Sequence, residues 1–433
     1  MAEIYHSVTL DTEKCKGCTR CIKKCPTEAI RVRNGKAKII KDRCIDCGEC
    51  IRTCPNHAKK AVIDSLAAIN DYEYTIALPA PSLYGQFNNL DETDIVLNAL
   101  LKMGFDDVFE VSRAAELVSQ ATRKYMGRSD VLRPVISSAC PVVVRLIRVR
   151  FPQLIEKLLP FHPPVELAAR IAKKQAAEKT GLPLNKIGAI FISPCPAKLT
   201  AIKMPIGTKQ KSAVDAVVAI RDVYPVLLSH MKEQNGTDEL ASSGRMGIGW
   251  GSSGGEAAAT LNERYLAADG IENVIMVLEN LEDEKFTDLD FVELNACAGG
   301  CVGGVLTVEN PYIAEAKLKR ISKYRPVSCA NAAVEDMSDI EWDSGVEYLP
   351  VMQLDENPEV AMDMMIKIRE LENSLCGMDC GSCGAPSCKA YAEDVIRGYA
   401  SEDGCIYKLR EQMQQLTQEM ITISSKMPQA MTD

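Results

Sequence analysis

Four cysteines spaced C-x2-C-x2-C-x3-C and followed by proline occur twice in the first 55 residues: Cys15, Cys18, Cys21, Cys25 and Pro26, then Cys44, Cys47, Cys50, Cys54 and Pro55. A stretch that places eight thiols so densely has little room for an apolar core, and something the thiols bind must hold it. The whole chain repeats the theme, with 18 cysteines against four histidines (His6, His57, His162, His230), too many thiols for a reducing compartment unless metal holds them. Zinc sites are served by paired cysteines, whereas duplicated runs of four with tight x2 spacings let one loop wrap three corners of an iron-sulfide cube.

The segment resembles bacterial-type ferredoxins and implies electron transfer. In two-cluster ferredoxins the fourth cysteine of each run serves the other cluster. Cys15, Cys18, Cys21 and Cys54 are therefore expected to hold one 4Fe-4S cluster, and Cys44, Cys47, Cys50 and Cys25 the second. VTLDTEKC and RVRNGKAKIIKDRC look like short strands and a turn around the cysteine loops.

Four zones follow from composition: a two-cluster domain over 1–70, a large domain over 71–370, a small Cys-rich domain over 371–405 and a tail helix over 406–433. The large zone alternates helical patterns with short apolar runs, EYTIALPAP, DVFEVS, LRPVISSACP, IGAIFISPCPAK, NVIMVLEN and FVELNACAGGC, which predicts an α/β domain with largely parallel strands. Cys140, Cys195 and Cys297 each sit just past such a run, at the sheet edge where α/β proteins bind ligands. With Cys301 they offer four thiolates from three loops, enough for one tetrahedral metal or one cubane.

The carboxyl-side zone places Cys380, Cys383, Cys388 and Cys405 as C-x2-C-x4-C-x16-C, with Gly381, Gly384 and Pro386 shaping the loop. Four thiolates suit a cluster or zinc; the pattern resembles the small 4Fe-4S domain of corrinoid-linked and electron-transport proteins. Cys329 and Cys376 receive no role. In the tail, Ile406, Leu409, Met413, Leu416, Met420, Ile423 and Met427 alternate spacings of three and four, a coiled-coil seam or a face packed on its own chain.

Taken with the ferredoxin segment, SSACP at 137–141, SPCPAK at 193–198 and NACAGGC at 295–301 resemble the three signature segments of the FeFe-hydrogenases, over most of residues 1–330. The resemblance implies a two-lobed α/β active-site domain. It implies a cubane on Cys140, Cys195, Cys297 and Cys301, with Cys301 shared with a diiron subsite bearing carbon monoxide, cyanide and an azadithiolate bridge. Lys198 matches the lysine that pairs with a cyanide ligand. Ala80, Pro81 and Ser82 resemble the small-residue loop against the diiron bridge, and Gly299, Gly300, Gly303 and Gly304 would let backbone approach the cluster. Ala139, Ser193, Pro194 and Asn295 fall at further positions beside the subsite. With the flanking domains the total is four 4Fe-4S clusters and one diiron subsite.

The sequence also departs from the family. Ala139 stands where the catalytic enzymes usually place a relay cysteine, Ala201 where they place a carboxylate, and Ser119 and Gln120 where they place an acidic pair; Ser193 and Asn295 replace two methionines. Alanine can neither hold nor pass a proton. Iron ligands retained without the proton relay, plus the extra cluster domain, are similar to the sensory FeFe-hydrogenases. The expected activity is slow reversible cleavage of dihydrogen to protons and electrons, with Glu256 as the substitute acid, or merely a first-turn residue of a helix. The alternatives are an iron-sulfur assembly factor and an electron-transfer protein, both without a diiron unit. GWGSSG at 249–254, before a helical stretch EAAATLNERYLAA that starts at Glu256, passes as a short dinucleotide fingerprint, but ASSGRMGI before it makes a poor buried strand.

A formal charge of -9 argues against nucleic acid or an anionic membrane as partner. The sequence shows no membrane span and no apolar leader, so a cytoplasmic location is expected. The expected partners are a redox or signalling protein and, through the tail, a second copy of the chain.

Overall fold

The computed structural model describes residues 5–232, 238–329 and 337–426, so Met427 lies outside the described residues. The chain divides into two compact units. The first comprises the amino-terminal stretch to Thr9, Ile45–Gly48 and Ala61–Leu349; the second comprises Leu10–Cys44, Glu49–Lys60 and the chain from Pro350 onward.

Eleven strands are described: β1 (Val8–Leu10), β2 (Ile30–Arg33), β3 (Lys36–Ile39), β4 (Lys59–Ala61), β5 (Tyr74–Pro79), β6 (Asp107–Val108), β7 (Val135–Ile136), β8 (Ile187–Ser193), β9 (Ala216–Ala219), β10 (Tyr265–Asp269) and β11 (Phe291–Asn295). In the first unit two parallel sheets form the two lobes, ordered β6-β5-β8-β9 and β10-β11-β7. Every residue of β8 is buried, as a central parallel strand covered on both faces demands. The helices Val111–Met126 and Pro164–Thr180 share one apolar cluster with Ile76, Leu78, Ala189 and Phe191 of β5 and β8.

Two segments differ from the sequence expectation. NVIMVLEN lies in the helix Ile271–Glu282, not in a strand, because Ile271, Val274, Leu278 and Leu281 recur at helical spacing and are the buried set. YLAA, read as the end of a helix starting at Glu256, instead opens β10; the helix stops at Ala259 and the chain turns through Leu261 at φ 57°.

In the second unit β2 and β3 form an antiparallel hairpin whose Asn34-Gly35 turn has φ 52° and 69°, both positive as a two-residue type I′ turn needs. The carboxyl-side loop docks on this hairpin. Val32 N–H donates to Gly384 O at 2.8 Å. A Cβ on Gly384 would stand 1.9 Å from Val32 O, so only glycine fits there. Arg31 and Arg33 both pair with Asp394 of the helix Cys388–Ile396, at 2.7 and 2.5 Å. Among the described residues no helix is long and apolar enough to cross a membrane.

Candidate metal centre

The cysteine-bearing loops of the first unit leave the carboxyl ends of three parallel strands. Cys140 follows β7 and caps the helix Pro141–Arg150; Cys195 follows β8 and caps the helix Pro196–Lys203, each with proline as the first helical residue. Cys297 and Cys301 follow β11, across a turn through Gly299 and Gly300 at φ 73° and 83°. All four cysteines line one cavity together with Ala80, Pro81, Ser82, Ala139, Pro194, Lys198, Glu256, Glu293 and Asn295. Ser193 is not among the lining residues; its Oγ donates to Cys195 O at 3.0 Å and accepts the Cys195 N–H at 3.1 Å, bracing the loop from behind.

Three of the glycines are fixed by close packing within the protein. A Cβ on Gly300 would meet Ser253 N at 2.5 Å, one on Gly303 Ala298 O at 2.0 Å, and one on Gly304 Pro194 O at 2.2 Å. These residues let protein backbone approach protein backbone. The GWGSSG segment packs against the Cys297–Cys301 turn, with Ser253 N–H donating to Gly299 O at 3.0 Å and Val302 N–H to Gly251 O at 2.9 Å. Gly249 closes the helix Arg245–Gly249, so no strand precedes the fingerprint.

Electrostatics bind the site together. Burial, and then the neighbouring thiols Cys140 and Cys301, push Cys195 up to about 12, while Lys198 opposes. Burial pushes Cys301 up to about 11 against the pull of Lys198. Lys198 Nζ donates to Ala139 O at 2.8 Å. Glu256, 5% exposed, is pushed up to about 8 by burial and by the charge of Glu293. Burial raises Glu293 as well, against the pull of the hydrogen bonds it accepts. It accepts N–H groups from Gly254 at 3.0 Å, Ala257 at 2.8 Å and the Asn295 amide at 2.7 Å, whereas Glu256 receives Ser137 Oγ–H at 2.6 Å. Sequence reading missed Glu293 and Ser137.

Two buried polar atoms test whether this donor set suits an inorganic group. Ser82 Oγ, with its side chain fully buried at the cavity wall, has no hydrogen-bond partner among the described residues. Such atoms are rare unless a ligand or water serves them. In the second unit Lys59 Nζ is likewise buried and unpartnered, on a cavity lined by Cys15, Cys18, Cys21 and Cys54. Four thiols with an orphan ammonium suit an anionic iron-sulfur group.

The other cysteines fall as follows. Cys25, Cys44 and Cys50 belong to the second unit; Cys47 belongs to the first, where it packs against the cluster of Ile45, Ile136 and Val143. On the carboxyl side Cys383 and Cys405 pack around Ala385 and Tyr391, and Cys380 raises the Cys383 thiol after burial does. Cys376, left without a role, is near enough to Cys388 to raise its thiol after burial does. Cys329 N–H donates to Glu116 at 2.7 Å.

Parallel sheets that aim four thiols into one enclosed cavity, beside a ferredoxin-type segment, define an iron-sulfur redox protein. The chain belongs to the iron-only hydrogenase large subunit, C-terminal domain family, whose model matches residues 73–305. A 4Fe-4S dicluster domain matches 7–55 and an Fe-S cluster domain 375–407. The chain is 24% identical over 370 residues to iron hydrogenase 1 of Clostridium pasteurianum, covering 69% of this chain and 64% of that one. It is 28% identical over 253 residues to the periplasmic Fe hydrogenase large subunit of Nitratidesulfovibrio vulgaris, covering 54% and 59%. Against the NADP-reducing hydrogenase subunit HndD of Solidesulfovibrio fructosivorans it is 23% identical over 256 residues, covering 48% and 44%. The chain thus spans 44% to 64% of the length of these relatives. An apo FeFe-hydrogenase of Chlamydomonas reinhardtii superposes with TM-score 0.48 at 14% identity, covering 64% of this chain and 95% of that one.

Proposed function

We propose that the protein cleaves dihydrogen slowly and reversibly and that its redox state, more than its flux, is its output. The observation that carries this reading is the convergence of Cys140, Cys195, Cys297, Cys301, Lys198 and Ser82 on one enclosed cavity. A cubane on the four cysteines joined to a diiron unit through Cys301 would supply the bond cleavage and hold the electrons. The chain's own groups do the rest. Lys198 spends one N–H on Ala139 O and has two left for an anionic ligand. Ser82 offers an unused hydroxyl. Glu256, uncharged at neutral pH, can give up or take a proton at the cavity wall, with Ser137 orienting its carboxyl. Small apolar side chains at Ala80, Ala139 and Ala296 complete the wall and exclude water.

The absent relay at Ala139, Ala201, Ser119 and Gln120 supports slow turnover. The trait of a sensor, an output surface, is supported by the tail. Helix Ile406–Ser425 exposes Ile406, Leu409, Met413, Leu416, Met420 and Ile423, between 45% and 71% each, in one heptad seam. A second copy, bringing the same period, is the occupant proposed for it. The test of the central reading is infrared spectroscopy of protein matured with the diiron unit. Carbon monoxide and cyanide bands that move under dihydrogen are expected; their absence after full iron loading would favour an assembly factor.

A further inference from the structure

The amino-terminal segment holds a charge that its own fold does not explain. In β4 the side chains alternate: Lys60 points outward and pairs with Asp11 at 2.8 Å, while Lys59 points inward and is 3% exposed. The Lys59 ammonium meets no hydrogen-bond acceptor among the described residues. It lines the cavity of Cys15, Cys18, Cys21 and Cys54. It lies within electrostatic reach of Cys21 of the first cysteine run and of Cys50 and Cys54 of the second. An unpaired buried ammonium is too costly to keep unless an anion faces it. Methionine would fill similar volume at that position without a charge.

We propose that Lys59 is a tuning residue, a fixed positive charge set between the two cysteine runs that raises the reduction potential of the iron-sulfur groups they hold. The argument is electrostatic. A thiolate-bound cube carries net negative charge and gains one more on reduction, and a nearby buried cation stabilises the more negative state. A higher potential favours accepting electrons over giving them. One dihydrogen becoming two protons releases two electrons, which matches two one-electron groups, so Lys59 biases the chain toward dihydrogen uptake. That last consequence rests on the proposed function; the potential shift rests only on the amino-terminal iron-sulfur groups.

The experiment uses the full chain reconstituted with iron and sulfide, carrying Lys59→Met, Lys59→Gln or Lys59→Arg, titrated with dithionite and read by electron paramagnetic resonance. The neutral variants are expected to titrate at more negative potentials in the amino-terminal signals, and Lys59→Arg close to wild type. Neutral variants with full iron and wild-type potentials would overturn the proposal. Iron lost from both neutral variants but kept by Lys59→Arg would support a charge requirement; iron lost from all three would overturn it, reducing Lys59 to a space-filling role. No dihydrogen is needed, so missing diiron bands would sink the proposed function and leave this result standing.

Discussion

Two thiols of the central cavity, Cys195 and Cys301, and one of the carboxyl-side loop, Cys380, sit in opposite electrostatic environments. Cys195 and Cys301 are enclosed, and burial pushes them up to about 12 and 11. Cys380 is drawn below the ordinary thiol value, by hydrogen bonds from the Ser382 backbone and side chain and then, against a small burial effect, by the charge of Lys23. A thiol raised this far binds metal only as it loses its proton, so at Cys195 and Cys301 deprotonation and metal entry are coupled. A partly open thiol with thiolate character binds, exchanges and oxidises on its own. The same residue type is thus committed in one place and accessible in the other.

The sharpest way to break this contrast is at Cys301. Cys301→Ala is expected to abolish the diiron infrared bands, because no other cysteine of the cavity is free to tether the subsite; full bands would show that enclosure is not what fixes it. Glu256→Gln comes next. Losing a positioned acid typically removes about two to four orders of magnitude in rate, and dihydrogen turnover is expected to fall within that span. The same variant has a pH signature in protein without metal. Between the ordinary carboxyl value of 4.5 and about 8, folded protein keeps a proton on Glu256 that the unfolded chain has lost, so stability falls as pH rises across that window. Glu256→Gln should flatten this slope in a denaturant titration.

A smaller effect concerns iron retention. Under a chelator without oxygen the carboxyl-side set should release its iron first, taking the expected total of about 18 atoms toward about 14 while diiron bands persist. Early loss of those bands would reverse the assignment of committed and accessible sites. Ala139→Cys should raise turnover by less than Glu256→Gln lowers it, since Ser119 and Gln120 still interrupt the usual relay. Smallest of all, truncation after residue 408 should weaken self-association in light scattering without changing iron content; a full-length monomer would remove the second copy from the reading.

The sequence displayed the two lobes where strands are fully buried. β5 and β8 stand out as largely apolar runs because parallel strands are covered on both faces. β10 was illegible because its residues are only half buried and follow a helix without a clear stop signal, while Ile271–Glu282 looked like a strand because five apolar residues are adjacent in its middle. The cysteine loops were legible because spacing carries their chemistry. Glu293 was not, since it lies inside a strand where only tertiary placement beside Glu256 gives it meaning. Lys59 hid for the same reason: in KKA either lysine could be the outward one.

Cys405 stands at the cap of the helix Ile406–Ser425, and its backbone C=O accepts the Leu409 N–H at 2.9 Å. A helix of 20 residues is a rod about 30 Å long. Hinged at a residue that the carboxyl-side site would hold, that rod is a pointer: a tilt of about 10° at the cap carries its far tip roughly 5 Å by simple leverage over that length. A shift at the carboxyl-side iron-sulfur domain that tilted this cap would thus be carried outward as a displacement the size of one helical turn.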